Sequence, residues 1–214
     1  LGIDSGVVLT SGNARLASGP NTSSSTSATG SGEEDTDLEA ISGMQTNDAC
    51  VIEFDFYPSS TTLDFKYVFG SEEYPEFVNQ YNDVFGFFIT GPKPSGGTYN
   101  KVNLAILPTT TTGNSVVTIN NVNNGIACPT NGPCINCLYY RDNCPAPEKP
   151  TPKLEYDGLT VVLTASLDVT PCVLYHIKIA IADGSTNGSD RSYDSGVFLK
   201  AGSFSSPSVT LSPT

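Results

Sequence analysis

Leu63-Asp64-Phe65-Lys66-Tyr67-Val68-Phe69 carries an apolar or aromatic side chain at every second position: Leu63, Phe65, Tyr67 and Phe69. Side chains alternate faces along an extended chain, so a period of two marks a strand with one buried face. Val51-Ile52-Glu53-Phe54-Asp55-Phe56 repeats the pattern with Ile52, Phe54 and Phe56. Val84-Phe85-Gly86-Phe87-Phe88-Ile89 is apolar throughout, as expected of a strand covered on both sides. Further strands are expected at 6–10, 103–107, 116–120, 159–165, 174–182 and 197–201, separated by clusters of Gly, Pro, Asn and Ser. One short helix is expected, at 73–80 with Pro75 in its first turn. Many short strands with turn-rich connections predict an all-β fold, an antiparallel β-sandwich with jelly-roll-like connections and at most one or two short helices.

The chain has 214 residues, with 22 Asp+Glu against 10 Lys+Arg and a formal net charge of -12. That acidity excludes a nucleic-acid-binding surface, which needs basic residues to displace counterions from phosphates. No apolar run approaches the roughly 20 residues of a membrane-spanning helix, so no direct membrane insertion is expected. The organisation reads as one ligand-binding domain over 1–204 and a linker to a following module over 205–214. Residues 20–37 are polar and low in complexity, and are expected to form a mobile loop. The first residue, Leu1, suggests a processed product or a piece of a longer chain.

Six Cys beside one Met and no Trp point to an oxidising compartment and hence to disulfides. Cys128, Cys134, Cys137 and Cys144 fall in a Cys- and Pro-rich insertion, 128–147, expected to hold two local bridges. Zinc competes, because Cys134 and Cys137 form a Cys-x-x-Cys pair, but there is no second such pair. Cys50 and Cys172 each open an apolar run and are expected to pair with each other.

Acidic and amide side chains gather in two segments. Ser71-Glu72-Glu73-Tyr74 leaves one strand and Asn82-Asp83 enters the next. The second runs from Asp183 to Asp194. Counted from Asp183, oxygen side chains stand at positions 1, 3 and 5, Gly188 at 6 and Asp194 at 12. This approaches a calcium loop, in which hard oxygen ligands and a flexible Gly fold the chain around the ion. It departs from an EF-hand in Ser185 at position 3, in Asp at position 12 and in its flanking strands. Adjacent like charges at Glu72 and Glu73, beside an apolar strand, need neutralising, and the chain is poor in cationic residues.

The single His, His176, falls on the same strand face as Lys178, opposite Tyr175, Ile177 and Ile179, as expected of a partly exposed strand residue. No Gly-x-Ser-x-Gly elbow and no phosphate-binding loop accompany it. A paired-carboxylate glycosidase using Glu72, Glu73 or Asp83 is the surviving enzyme reading, and the absence of Trp weakens it. Asn21 and Asn187 sit in glycosylation sequons.

The stretch Phe69-Gly70-Ser71-Glu72-Glu73-Tyr74-Pro75-Glu76-Phe77-Val78, followed by Asn82-Asp83-Val84-Phe85-Gly86-Phe87-Phe88-Ile89, resembles the core signature of the choice-of-anchor L domain. Gly2–Leu9, Asp157–Ala165, Pro171-Cys172, Tyr175–Lys178 and Tyr193–Leu199 are similar to other parts of that domain and occur in the same order. Such domains occur in large secreted or cell-surface bacterial proteins and resemble the Ca²⁺-dependent peptide-binding module of giant repeats-in-toxin adhesins. The resemblance implies Ca²⁺ as cofactor, held by Glu72, Glu73, Asn82, Asp83, Asp183 and Asp194. It implies a ligand near Ser71, Tyr74, Asp190 and Tyr193. Between Asp183 and Tyr193 the chain is longer than that pattern, and the Cys128–Cys144 region carries extra Cys. The reading is therefore a non-enzymatic, extracellular, calcium-dependent adhesion module. Its expected partner is a peptide or protein, or a glycan, on another cell surface. A structural module stabilised by calcium and disulfides, binding nothing specific, is the alternative.

Overall fold

A computed structural model describes residues 1–108, 116–126, 132–144 and 154–204. Among the described residues ten strands form two antiparallel sheets packed face to face, which bears out the sandwich. In chain order they are β1 (Gly6–Thr10), β2 (Gln45–Phe56), β3 (Thr62–Ser71), β4 (Val84–Pro92), β5 (Thr98–Asn103), β6 (Tyr140–Asp142), β7 (Gly158–Thr160), β8 (Leu163–Asp168), β9 (Tyr175–Ser185) and β10 (Ser195–Lys200). One sheet runs β1-β10-β3-β7-β6, with β8 also pairing β3, and the other runs β2-β9-β4-β5. The alternating residues of β3 face the interior as expected. Leu63, Phe65, Tyr67 and Phe69 all join the main core with Phe85, Phe87, Ile89, Ile177 and Ile181.

The all-apolar β4 is covered on both sides. Phe85, Phe87 and Ile89 point into the sandwich, while Val84 and Phe88 point outward beneath Leu38. Leu38 belongs to the one α-helix among the described residues, α1 (Thr36–Ser42). This helix was not expected, because its start lies in the polar stretch read as a loop. Its signals are nevertheless local. Asp35 caps it by accepting from the N–H groups of Asp37 and Leu38, and Gly43 ends it in the left-handed conformation at φ 72°. Lys178 lies half-buried between Asp35 and Asp37, at 2.6 and 2.7 Å, and ties the helix to β9.

Several expectations are corrected. Residues 73–80 form successive turns rather than a helix, and Asn79 interrupts them at φ 69°. The strand expected at 103–107 ends at Asn103. There the side-chain Oδ1 accepts from the N–H groups of Phe87 and Ala105, which turns the chain inward. Residues 116–120 make isolated bridges and begin a 3₁₀ turn instead of a strand.

Cys50 and Cys172 are both unpaired thiols. Cys50 lies opposite Ile181, whereas Cys172 lies beyond the Phe56–Tyr175 pair, where its N–H bonds Pro58. Six strand residues, about 20 Å, separate Cys50 from Phe56, far beyond the roughly 7 Å Cα separation a disulfide spans. Cys134 and Cys137 are bridged and Cys144 is also in a disulfide, while Cys128 and the linker 205–214 lie outside the described residues.

Because α1 covers the outer face of β4 through one fully buried side chain, Leu38→Ala should lower stability by about 3 kcal/mol. Urea unfolding monitored by Tyr fluorescence reads this. A loss below about 1 kcal/mol, the size of an ordinary surface substitution effect or little more, would show that α1 does not cover the strand.

Candidate metal centre

Strand register gathers the acids at one end of the sandwich. In the first sheet, Ser71 at the end of β3 lies between Gly158 of β7 and Ser195 of β10. Glu72 follows Ser71, while Asp157 and Asp194 immediately precede their strands. In the second sheet, Val84 pairs with Ala182 and Asn47 pairs with Asp183. The next position therefore brings Asp83 to Asp183. Antiparallel neighbours start and finish at the same end, so acids just before one strand and just after the next become neighbours.

The arrangement is closely packed. Glu73, Asp83 and Asp190 place carboxylate oxygens within 4.8 Å of one another. Glu72, Glu73, Asp83, Asp157, Asp183, Asp190 and Asp194 are all at most 3% exposed. Asp83 accepts from Ser71 Oγ (3.4 Å), from Ser195 Oγ and from Gly184 N (3.1 Å). Both carboxylate oxygens of Glu72, Glu73 and Asp183 are buried with no hydrogen-bond partner, as is one oxygen each of Asp157, Asp190 and Asp194. Among the described residues no Lys or Arg pairs with any of them. At an effective dielectric near 20, two charges 4 Å apart repel by about 4 kcal/mol. Three such pairs in Glu73–Asp83–Asp190 would consume a typical folding free energy of 5–15 kcal/mol. The ionised group therefore requires either protons or a cation.

Without a cation, burial favours the protonated form of these acids. Burial is the largest cause in every case. Burial and then the Asp157 and Glu155 charges push Glu72 up to about 10, and burial raises Asp157 to about 8. Asp190 and Asp194 rise to about 6. Glu73, Asp83 and Asp183 are pushed well above the carboxylate range by burial and by one another. The donor set is all oxygen, with no imidazole or thiolate among it, and fits a hard cation such as Ca²⁺ rather than Zn²⁺.

Five of the six expected metal residues offer carboxylates to this end. The sixth, Asn82, has its side-chain oxygen occupied by the Asn120 N–H at 2.9 Å. Asp190, expected only near a ligand, stands inside the carboxylate group. Tyr193 packs against Phe77 with ring centroids 4.6 Å apart and planes tilted by 48°, at a left-handed φ of 64°. Tyr74 is buried against Tyr140.

Asp48, Glu155 and Asp157 escape the sequence patterns. Asp157 shares one available signal with Asp83 and Asp194, an acid directly before a strand. Segment 21–32, expected to be mobile, is laid across this end by Asn21 to Asp157 (2.6 Å), Thr26 to Glu155 (2.8 Å), Ala28 N to Asp194 (3.0 Å) and Gly30 N to Asp48 (3.1 Å). Asn21 is thereby buried, whereas Asn187 is exposed. His176 lies away from the site, half-exposed, with Nδ1 2.8 Å from Asp55.

The family model of the choice-of-anchor L domain matches residues 1–205, and the chain belongs to that family. Its members are non-enzymatic surface modules of larger bacterial proteins, which places the chain at a cell surface or in a secreted protein. No curated protein and no solved structure matches the chain. No helix among the described residues is long and apolar enough to cross a membrane.

A carboxylate whose pKa is raised by folding binds its proton more tightly in the native state. Its contribution is therefore intact at low pH and is lost as pH rises from the unfolded value through the folded one. In chelator, the melting temperature should fall steadily from pH 5 to pH 8, because the unfolded acids are ionised over that range while native Glu72 and, until about 8, Asp157 hold their protons and Asp190 and Asp194 give theirs up only around 6. Differential scanning calorimetry in buffers of matched ionic strength reads this. A midpoint that rises or stays level over that range would exclude the buried acids as the source.

Proposed function

We propose that this member of the choice-of-anchor L family is a calcium-ordered adhesion module. Ca²⁺ at the acidic end fixes the loops that meet a ligand on another surface. One observation carries the reading: fully buried carboxylates with unpartnered oxygens and, among the described residues, no protein cation beside them. Glu73, Asp83 and Asp190 form the tightest group and would hold an ion, with Asp183 adjoining. The ion would supply charge neutralisation and an oxygen-seeking coordination position. Asp83 is held by Ser71 and Ser195, one from each side of β3–β10, so occupancy would also clamp the two sheets together.

Two features favour a ligand at this end over a purely structural ion. Phe77 and Tyr81, on the turns that follow Glu73, form a half-buried aromatic group with Tyr193 from the loop before β10. Tyr193 keeps its unusual left-handed backbone there, and such conformations in non-glycine residues concentrate at binding sites. An open cavity of about 530 Å³, lined in part by Ser11, Gly12, Ser31 and Asp48, adjoins the same end. A peptide C-terminal carboxylate or a sugar diol both present oxygens that Ca²⁺ accepts. The likeness of the sequence motifs to calcium-dependent peptide-binding modules of bacterial adhesins agrees with the first of these.

With free Ca²⁺ at about 100 times its dissociation constant, stabilisation by about 2.7 kcal/mol should raise the melting temperature by roughly 5–10 °C for a domain of this size. Mg²⁺ at equal concentration should give little. Asp83→Asn should abolish most of the Ca²⁺ shift and, with it, Ca²⁺-dependent retention on immobilised peptides with free C-termini or on a glycan array. No Ca²⁺ shift in chelator-stripped wild type rejects the metal reading. A full shift with no retained ligand on either surface leaves a structural ion and rejects the adhesive role.

A further inference from the structure

One side of the sandwich is open. β1 is an outer strand of one sheet and β2 an outer strand of the other, and an apolar cavity of about 370 Å³ lies between them. Val7 of β1 and Ile52 and Phe54 of β2 line it, together with the core residues Phe65, Ile179 and Leu199. Val7 and Ile52 hold inward positions of their strands. Val7 stands two residues before the buried Leu9, and Ile52 alternates with Phe54 and Phe56, which pack on the core. Inward positions should be covered, yet Val7 is 60% exposed and Ile52 41%. The core is therefore short of a layer of side chains here. The cavity is separate from the acidic end: Ile52 stands five residues along β2 from Asn47, the partner of Asp183, or about 17 Å.

The main chain of β2 is open on this side too. The Asn82 N–H bonds the Gly184 carbonyl at 2.6 Å, so even-numbered residues of β9 bond β4 and odd-numbered ones bond β2. Cys50, Ile52, Phe54 and Phe56 stand opposite those odd-numbered residues. Val51, Glu53 and Asp55 therefore turn their N–H and C=O groups to the outer edge, where none of them meets a partner among the described residues. Such an edge accepts an added strand. Nearer the acidic end the edge is already used, because the Ala49 N–H bonds the Glu33 carbonyl at 3.0 Å. The side chains of Glu53 and Asp55 are exposed on the outer face. Lys178 stands opposite Glu53 but turns to Asp35 and Asp37. His176 pairs with Asp55 at 2.8 Å and leaves Glu53 at 3.9 Å. A strand laid on this edge meets an apolar groove on one face and two carboxylates on the other.

We propose that the groove between β1 and β2 is a second docking surface, which takes an extended segment of another protein as an added strand along 51–55. Its apolar residues, at every second position, fill the groove against Val7, Ile52 and Phe54. Lys or Arg between them face Glu53 and Asp55, as opposite charges on neighbouring strands do. Hydrogen bonds to the main chain of Val51, Glu53 and Asp55 supply affinity, and the alternate side chains supply specificity. A second copy of this chain fits poorly, because pairing β2 with its own copy would set Glu53 and Asp55 against the same acids. The chain's own 205–214 contains no basic residue. The surface needs no ion at the acidic end.

The test uses the whole chain and three labelled, C-terminally amidated peptides: Val-Lys-Val-Lys-Val-Lys, the same with Glu for Lys, and the block order Val-Val-Val-Lys-Lys-Lys. Fluorescence anisotropy reads binding. The alternating Lys peptide should bind about tenfold more tightly than the Glu peptide, since two opposite-charge pairs replace two like-charge pairs, and more tightly than the block peptide. When bound it should slow hydrogen exchange at the amides of Val51, Glu53 and Asp55, read by NMR. Ile52→Asp, at a partly exposed position, should weaken it by about tenfold or more. Glu53→Lys combined with Asp55→Lys should reverse the preference in favour of the Glu peptide, a gain that misfolding cannot produce. An alternating Lys peptide that does not bind, or binds no better than the block peptide, overturns the proposal. Binding that survives Ile52→Asp and is lost in Asp83→Asn assigns the peptide to the acidic end and overturns it as well. Slow exchange at the three amides without peptide means that the edge is already filled, by 205–214 if the chain is monomeric and by a second copy if it is dimeric, and either result overturns the foreign strand.

Discussion

Uncompensated carboxylate burial is the constraint around which the molecule is organised. Seven acids are at most 3% exposed at one end of the sandwich, with no lysine or arginine among the described residues to neutralise them. In the middle of a sheet such an arrangement would defeat folding. At the end of a sandwich it is tolerable, because the acids sit where strands turn over and loops can bring in an ion or a proton. The rest of the fold then acts as a frame. A core of interdigitated aromatics, Phe65 on Phe87 at 4.9 Å and Tyr67 on Phe85 at 5.0 Å, fixes the strand register, and register fixes which acids meet.

The same logic explains how the two sheets are tied at that end. Ser71 and Ser195, paired across β3 and β10, both donate to Asp83 from the opposite sheet. A hydrogen-bonded carboxylate therefore bridges the sandwich where apolar packing has run out. Away from the acids the chain manages charge conventionally. Lys178 neutralises Asp35 and Asp37 beneath α1, and Lys101 meets Asp37 at 2.9 Å. Among the described residues the acids of the acidic end are buried without such a cationic partner, which is why that end reads as a site.

The fold was largely legible because its signals are local. The alternation in 63–69 and the unbroken apolar run in 84–89 state directly which faces are buried, and both strands lie where that reading puts them. Glu72, Asp83, Asp183 and Asp194 were also legible, as acids in odd places beside apolar strands. α1 was not read, although Asp35 and Gly43 carry its caps, because a seven-residue helix with one buried Leu is drowned in a polar stretch. The Cys50–Cys172 pairing failed for a different reason. Similar position at the start of two runs says nothing about register, and pairing Phe56 with Tyr175 leaves Cys50 in the middle of β2 and Cys172 beyond the end of the strand pair.

By itself the sequence determined an acidic, all-β, surface-type module with a calcium-like concentration of oxygens, since period, composition and charge are properties of short segments. Only the tertiary structure decided that Asp190 joins Glu73 and Asp83, that Glu72 faces Asp157 and Asp194, and that 21–32 lies over them. Glu72 and Asp194 stand far apart in the sequence, and antiparallel pairing, which joins the end of one strand to the beginning of another, brings such distant acids to one end of the sandwich.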